Sequence, residues 1–298
     1  MDARLLSYFL AIVDHGGFGR AAEAVHVSQP SLSQAIKQLE RDLGISLFHR
    51  VGRGVELSEP GRHLVDPARQ VLRDLDMARS AVHSTRDLEQ GQVDIAAMPS
   101  AGIEPLTTLT SRFNRHHPAM SISVSGAFTP EEVTESVRSG RAEIGLLGSA
   151  QTPQIPDLRC LHLGRQPLIM ISPPGSEGPG TIRPQDWPGL NIVASPRGSL
   201  MRRLVDEAVN TDTGARVVAE VAHRTSLLPF VLAGLGHAVM PSSWKELATS
   251  SGCRVRRIEP AVYLNVSLLH RRQGLTPGAK AYLSLAEELA GEETAFHR

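Results

Sequence analysis

Residues 18–53 read FGRAAEAVHVSQPSLSQAIKQLERDLGISLFHRVGR. Placed on a helix at about 100° per residue, residues 29–43 put Leu32, Ile36, Leu39 and Leu43 on one side. Pro30, Ser33, Gln34, Lys37 and Arg41 fall on the other. Ser28 stands where an N-cap belongs, and Pro30 lies in the first turn, where its missing N–H does no harm. Upstream, Phe18, Ala21, Ala22 and Val25 give a small-residue face on which a second helix can approach closely. Downstream, Phe48 to Arg53, Gly54 and the strand-like Val55-Glu56-Leu57 predict a basic hairpin. Two short helices, a tight turn and a hairpin make the layout of a winged helix-turn-helix.

Such a face has a chemistry. Ser and Gln hydrogen-bond to base edges, while Lys and Arg reach guanine or phosphate. Arg50 and Arg53 in the wing would lie along a phosphate backbone. Periodicity alone also fits an αα-hairpin with a solvated polar face. Net charge does not separate the two readings. In residues 1–58, Arg4, Arg20, Lys37, Arg41, Arg50 and Arg53 balance Asp2, Asp14, Glu23, Glu40, Asp42 and Glu56 one for one. Any positive field must come from one-sided placement.

The longer run from Leu5 to Gly61 resembles the DNA-binding domain of LysR-type transcriptional regulators. The resemblance is carried by Phe18, Ala21-Ala22, Val27-Ser28-Gln29-Pro30-Ser31, Leu32-Ser33, Ile36, Leu39-Glu40, Leu43-Gly44, Leu47-Phe48 and Arg50 at fixed spacing. It implies that Ser28, Gln29, Pro30, Ser31, Ser33, Gln34, Lys37, Arg41, Arg50 and Arg53 form the contact set for double-stranded DNA with a pseudo-palindromic operator. The rest of the chain fits the same family layout. The resemblance further implies a homodimer or homotetramer and contact with RNA polymerase, while a sequence without a readable signal peptide, membrane span or disulfide scaffold points to the cytoplasm.

Bulk properties agree. With 298 residues, 41% hydrophobic and 21% charged, the chain has ordinary globular composition and room for more than one domain. No stretch approaches the roughly 18–20 apolar residues of a membrane span, so no membrane partner is expected. The start, MDARLLSYFLAIVDHGG, does not read as a signal peptide. Cys160 and Cys253 are too few for a disulfide scaffold and lie in strand-like segments, so packing is their expected role. Some members of the resembled family sense oxidants through paired cysteines, and whether either cysteine has a redox role stays open.

After the wing, a helix is expected from about Glu59 to Leu88, capped by Ser58. Leu64, Ala68, Val71, Leu75, Ala78 and Val82 recur at steps of four and three, a heptad-type seam. A seam on a lone helix asks for a partner, most simply the same helix of a second copy. Packing on the chain's own next domain is the alternative. From residue 92 the pattern changes. VDIAAM, SISVSG and AEIGLLG read as strands, with EPLTTLTSRFNRHH and PEEVTESVRSG as the helices between them. LNIVAS, SLMRRLVDEAVN, ARVVAEVA, TSLLPFVLAGLG and HAVMP repeat that order. LRCLHLGRQPLIMIS would cross between the modules, CRVRRI and VYLNVSLLHR would return, and TPGAKAYLSLAEELAG would close the fold. The expected class is α plus α/β. A winged helix-turn-helix occupies 1–58 and a linker and dimerisation helix 59–90. Two α/β subdomains fill 91–298, the first about 91–162 and 267–298, the second about 163–266. The resemblance identifies 91–298 with an effector-binding domain related to type 2 periplasmic solute-binding proteins.

Ligands of open α/β sheets bind beyond the carboxyl ends of the strands. In the first module the positions just past each strand hold Ser100 and Ala101, Phe128 and Thr129, and Gly148 and Ser149. In the second they hold Arg197 and Ser199, then His223, Arg224 and Thr225, then Met240. Several should stand at helix N-termini, which favour an anion. An arginine there can grip a carboxylate in bidentate fashion, so an organic acid is the expected small-molecule effector. Helix capping by the serines and surface exposure of the arginines are the plainer readings. No nucleophile elbow, phosphate loop or metal-spaced His/Cys cluster is present, so neither a catalytic residue, a metal nor a cofactor is expected. Ser100 and His223 are the one pair an enzyme reading could assemble. A DNA-binding regulator without a small-molecule ligand is the alternative function.

Overall fold

A computed structural model describes residues 2–51, 54–82, 91–209 and 215–296. The first unit is built on three helices: α1 (Ala3–His15), α2 (Phe18–Ala24) and α3 (Gln29–Leu43). Asp2 caps α1 by accepting from Leu5 N–H at 2.9 Å. Gly16, at φ 64°, ends that helix in the left-handed region. Ala21 and Ala22 are 0% and 3% exposed, and their small side chains let α2 sit close on α1. Phe9, Ile12, Leu32, Ile36, Leu39 and Leu47 complete this core. The hairpin of β1 (Phe48–Val51) and β2 (Gly54–Leu57) pairs antiparallel from Phe48–Leu57 to Val51–Gly54.

Helix α4 (Glu59–Val82) comes directly after the hairpin. Ser58 caps it as expected, accepting from Gly61 N–H at 3.0 Å while donating to Ser46 O at 2.7 Å. A Cβ on Gly61 would fall 2.1 Å from Leu47 O, so only glycine lets α4 start this close to the wing. Residues 83–88, the end of the expected helix, lie outside the described residues. The heptad seam is divided. Ala68 is buried in the core of the first unit, and Leu64 packs against it. Val71 and Leu75 stay open at 41% and 38% exposure. The first half of the seam is thus consumed inside the chain, because α4 lies across α1 before running clear of it.

The second unit opens with β3 (Gly91–Ala97), α5 (Leu106–His116), β4 (Met120–Gly126), α6 (Pro130–Arg138) and β5 (Ile144–Ser149). Strand β6 (Leu158–Ser172) then runs for 15 residues through both halves of the fold. Short β7 (Thr181–Ile182) precedes β8 (Asn191–Ala194), α7 (Leu200–Val209), β9 (Arg216–Glu220), α8 (Leu227–Leu232) and β10 (Ala238–Pro241). Then come α9 (Lys245–Ser250), β11 (Arg254–Ile258), β12 (Tyr263–Arg271) and α10 (Pro277–Phe296). The main sheet has the order β4-β3-β5-β12-β6-β11-β7, with β10 also on β6. β12 pairs with the first part of β6, from Leu158 to Pro167. β10 and β11 pair with the last part, from Leu168 to Ser172. One strand therefore carries two subdomains. β8 and β9 pair in parallel and join β10 through a bridge from Ile192 to His237. Helix α10 closes the first subdomain, with Tyr282 buried against Phe113 at 5.5 Å between ring centres.

Cys160 lies half-buried on β6, and Cys253 is buried at the start of β11. Both are free, and burial pushes both thiols up, which disfavours the reactive thiolate.

Candidate functional site

The first candidate is the outer face of α3. Leu32, Ile36 and Leu39 are buried against α1 and α2, which turns the opposite side of the helix outward. Gln29, Pro30, Ser31, Gln34, Lys37 and Arg41 are exposed, and Ser33 is half-buried. Leu43, expected in the buried stripe, is 38% exposed at the last position of α3, before the left-handed Gly44 turns the chain away. Ser28 is the N-cap: its hydroxyl accepts from Ser31 N–H at 3.3 Å and lies 2.7 Å from the Ser31 hydroxyl. Arg41 donates to Gln38 Oε1 at 2.8 Å and to Lys37 O at 3.3 Å. The Gln34 amide has no partner among the described residues. Arg50 lies in β1 opposite Val55, and Arg53 lies outside the described residues.

A groove of about 570 Å³ runs between α2, α3 and the wing, lined by Arg20, Gln29, Ser33, Lys37 and His49 among others. Sequence reasoning missed the residue that shapes it. Glu40 accepts from Leu47 N–H at 2.8 Å and Phe48 N–H at 3.4 Å, tying the wing to α3. The signal was present: a carboxylate in the last turn opposes the helix dipole, so it needs another task.

The second candidate is a cleft of about 420 Å³ between the two subdomains. The structure brings seven expected residues to it: Phe128, Thr129, Gly148, Ser149, Arg197, Ser199 and Arg224. Several keep structural tasks. Thr129 caps α6, accepting from Glu132 N–H at 3.2 Å. Ser199 accepts from Arg202 N–H at 3.1 Å at the start of α7 and pairs with the Ser195 hydroxyl at 2.8 Å. Ser149 donates to Gln151 O at 2.6 Å. The N-terminal turns of α6 and α7 thus face one cleft from opposite subdomains.

Five expected residues do not line it. Ala101 is in the main core, in the turn that carries the chain from β3 under α5. Met240 lies inside β10 opposite Ile169, within the strand rather than beyond its end, and is 1% exposed. His223 and Thr225 point to solvent on either side of Arg224. Ser100 is 1% exposed behind the cleft wall, and its Oγ has no partner among the described residues. It is not at a helix N-terminus, because α5 starts only at Leu106. A Cβ on Gly148 would fall 2.8 Å from both Ser100 Oγ and Leu264 Cδ2, so a larger residue there would displace those side chains, and Leu264 lines the cleft. Missed lining residues include Met98, Glu131, Met201, Arg203 and Leu264. Glu131, Met201 and Arg203 stand in the first turns of α6 and α7, Leu264 lies in β12, and Met98 follows β3 directly at a position the sequence reading had counted within the strand.

Arg224 stands apart electrostatically. It is 8% exposed, and its Nη1 has no hydrogen-bond partner among the described residues. Burial pushes its guanidinium down to about 10. By contrast, buried Arg202 pairs with Asp206 at 2.7 Å and with Glu220. Among the described residues, no group of His, Cys, Asp and Glu is placed to hold a metal ion. Among the same residues, no helix is long and apolar enough to cross a membrane.

Comparison with known proteins finds two family matches along the chain. Residues 3–62 match the family described as bacterial regulatory helix-turn-helix protein, lysR family. Residues 86–291 match the LysR substrate binding domain. The chain is 29% identical over 292 residues to the HTH-type transcriptional regulator IlvR of Caulobacter vibrioides, covering 97% of this chain and 98% of that one. Its fold is similar to the crystal structure of CbnR, a LysR family transcriptional regulator (TM-score 0.71, 22% identity, 97% and 99% coverage). It is also similar to full-length CbnR complexed with target DNA (TM-score 0.57, 23% identity, 97% and 100% coverage).

Proposed function

Because this chain belongs to the LysR family of DNA-binding transcriptional regulators with an effector-binding domain, we propose that α3 is the helix that reads its operator in the major groove. The observation that carries this reading is the division of α3. Its apolar stripe is spent on α1 and α2, leaving Gln29, Ser33, Gln34, Lys37 and Arg41 to face a partner. Gln34 and Ser33 read base edges, while Lys37, Arg41 and the wing arginines Arg50 and Arg53 hold guanine or phosphate. Ser28, Pro30 and Ser31 set the start of the helix against the backbone, where free N–H groups suit phosphate.

In this reading residues 1–58 bind DNA, 59–90 link and dimerise, and 91–298 sense a small molecule. Two copies joined through the open half of the α4 seam present two α3 helices to a pseudo-palindromic site, and two dimers can form a tetramer. The effector is an organic acid bound in the cleft between α6 and α7. Its binding favours one assembly geometry by the difference in its affinity for the two. The protein acts in the cytoplasm, and its output passes through RNA polymerase.

Selection of bound duplexes from a random-sequence pool tests the DNA half of the reading. The expected product has two inverted half-sites about one helical turn, or a multiple of it, apart. A single unpaired site, or no enriched sequence, would refute the dimeric reader.

A further inference from the structure

We propose that Arg224 reads the charge of the ligand, and that the ligand is a small monocarboxylate with an apolar body. This rests on the cleft being the effector site. Arg224 begins a short turn that leads into α8, and its side chain lines the cleft beside Gly198, Ser199 and Leu200. A buried guanidinium without a carboxylate is an incomplete arrangement, because it has lost its water without gaining a partner. Its Nη1 is buried without a hydrogen-bond partner among the described residues, and burial is what lowers its titration. An anion entering the cleft supplies the missing partner. The N-terminal turn of α7 adds free N–H groups on the same side.

The rest of the lining sets the body and the charge count. Phe128 is 52% exposed at the opposite lip, and Met98, Met201 and Leu264 form apolar wall. A ligand that covers Phe128 removes a large ring from water. Glu131 stands on the same lip as Phe128, so a second carboxylate at that end meets a like charge. Arg197 and Arg203 are exposed and already solvated. One buried cation, an apolar wall and an acidic far lip fit one negative charge rather than two. The cleft volume of about 420 Å³ lies within the roughly 300–1,000 Å³ of small-molecule sites.

The test is calorimetric titration of the full chain with benzoate, 4-methylpentanoate, their neutral amides and succinate. At least one monocarboxylate should bind, its amide at least tenfold more weakly, and succinate more weakly than the better acid. Amides that match their acids, succinate as the tightest binder, or no acid binding at millimolar concentration overturns the proposal. Arg224→Met separates a ligand-reading role from a structural one. It removes an unpaired buried charge, so Tm of the free protein should rise by roughly 2–4 °C while acid affinity falls at least tenfold. A lower Tm with affinity intact marks Arg224 as structural and overturns the proposal. Should the variant fail to fold, the comparison of acid and amide on the natural chain decides alone. Gly148→Ala distinguishes this failure from failure of the site. If an amide binds and Gly148→Ala blocks it, the cleft stands and only the ligand class is wrong. If acid binding is untouched by both Gly148→Ala and Arg224→Met, the ligand sits elsewhere and both readings fall.

Discussion

At the residue scale, the α3 face separates side chains that build the unit from side chains free to meet DNA. Ser28 and Ser31 satisfy one another, Arg41 leans on Gln38, and Glu40 holds the wing. Gln34 is exposed and without a partner among the described residues. Gln34→Ala should therefore weaken operator binding by roughly 1–3 kcal/mol while leaving binding to scrambled DNA unchanged. Gel shifts on both duplexes check this, and equal loss on the two would assign Gln34 to the backbone. The face itself was legible in the sequence, because a helix repeats every 3.6 residues and its apolar side must be covered while its polar side can stay in water. The hydrogen bonds of Glu40 were not legible, since they depend on where the chain returns after Gly44. The place of Arg224 just past a strand is local and legible, but its burial depends on what packs around it.

At the scale of the element, α4 shows how a single pattern serves two purposes. The heptad steps predict one seam, yet Leu64 and Ala68 join the core of the first unit while Val71 and Leu75 remain open. A helix presents its stripe along its whole length, and the length over which its own chain covers it is a tertiary matter. Leu75→Glu should abolish dimerisation at a cost of several kcal/mol unless the new charge escapes to water. Sedimentation analysis should then give the monomer mass with the thermal transition of the first unit unchanged. An unaltered oligomer mass would show that α4 is not the interface.

At the scale of the molecule, β6 joins the two subdomains, and His237 joins β8 and β9 to the sheet that β6 organises. His237 N–H donates to Asn191 O and its own carbonyl accepts from Val193 N–H, both at 2.8 Å. Its Nδ1 lies 2.8 Å from the Ser172 hydroxyl. Burial, with Arg256 adding to it, holds the imidazole below its ordinary value of 6.5. The unfolded chain therefore binds more protons than the folded one once pH drops toward that value. Stability contributed here is present above pH 6.5 and is lost as pH falls through 6.5 toward the depressed folded value. Melts from about pH 8 to about pH 5 should show His237→Asn losing less Tm on acidification than the natural chain. Parallel slopes would mean that His237 is indifferent to protonation in the fold.

The sequence by itself determined the order of elements, the winged helix-turn-helix and the two α/β modules, because periodicity, caps and turn residues act over a few positions. It also determined which side of α3 faces outward. Tertiary structure alone decided which residues meet in the cleft, since Phe128, Gly148, Arg197 and Arg224 come from separate segments of the chain. It also sent Ala101 and Met240 into the core and left the Arg224 guanidinium buried with no counter-charge among the described residues. Burial and electrostatic pairing are sums over neighbours distant in sequence, and no local pattern contains them.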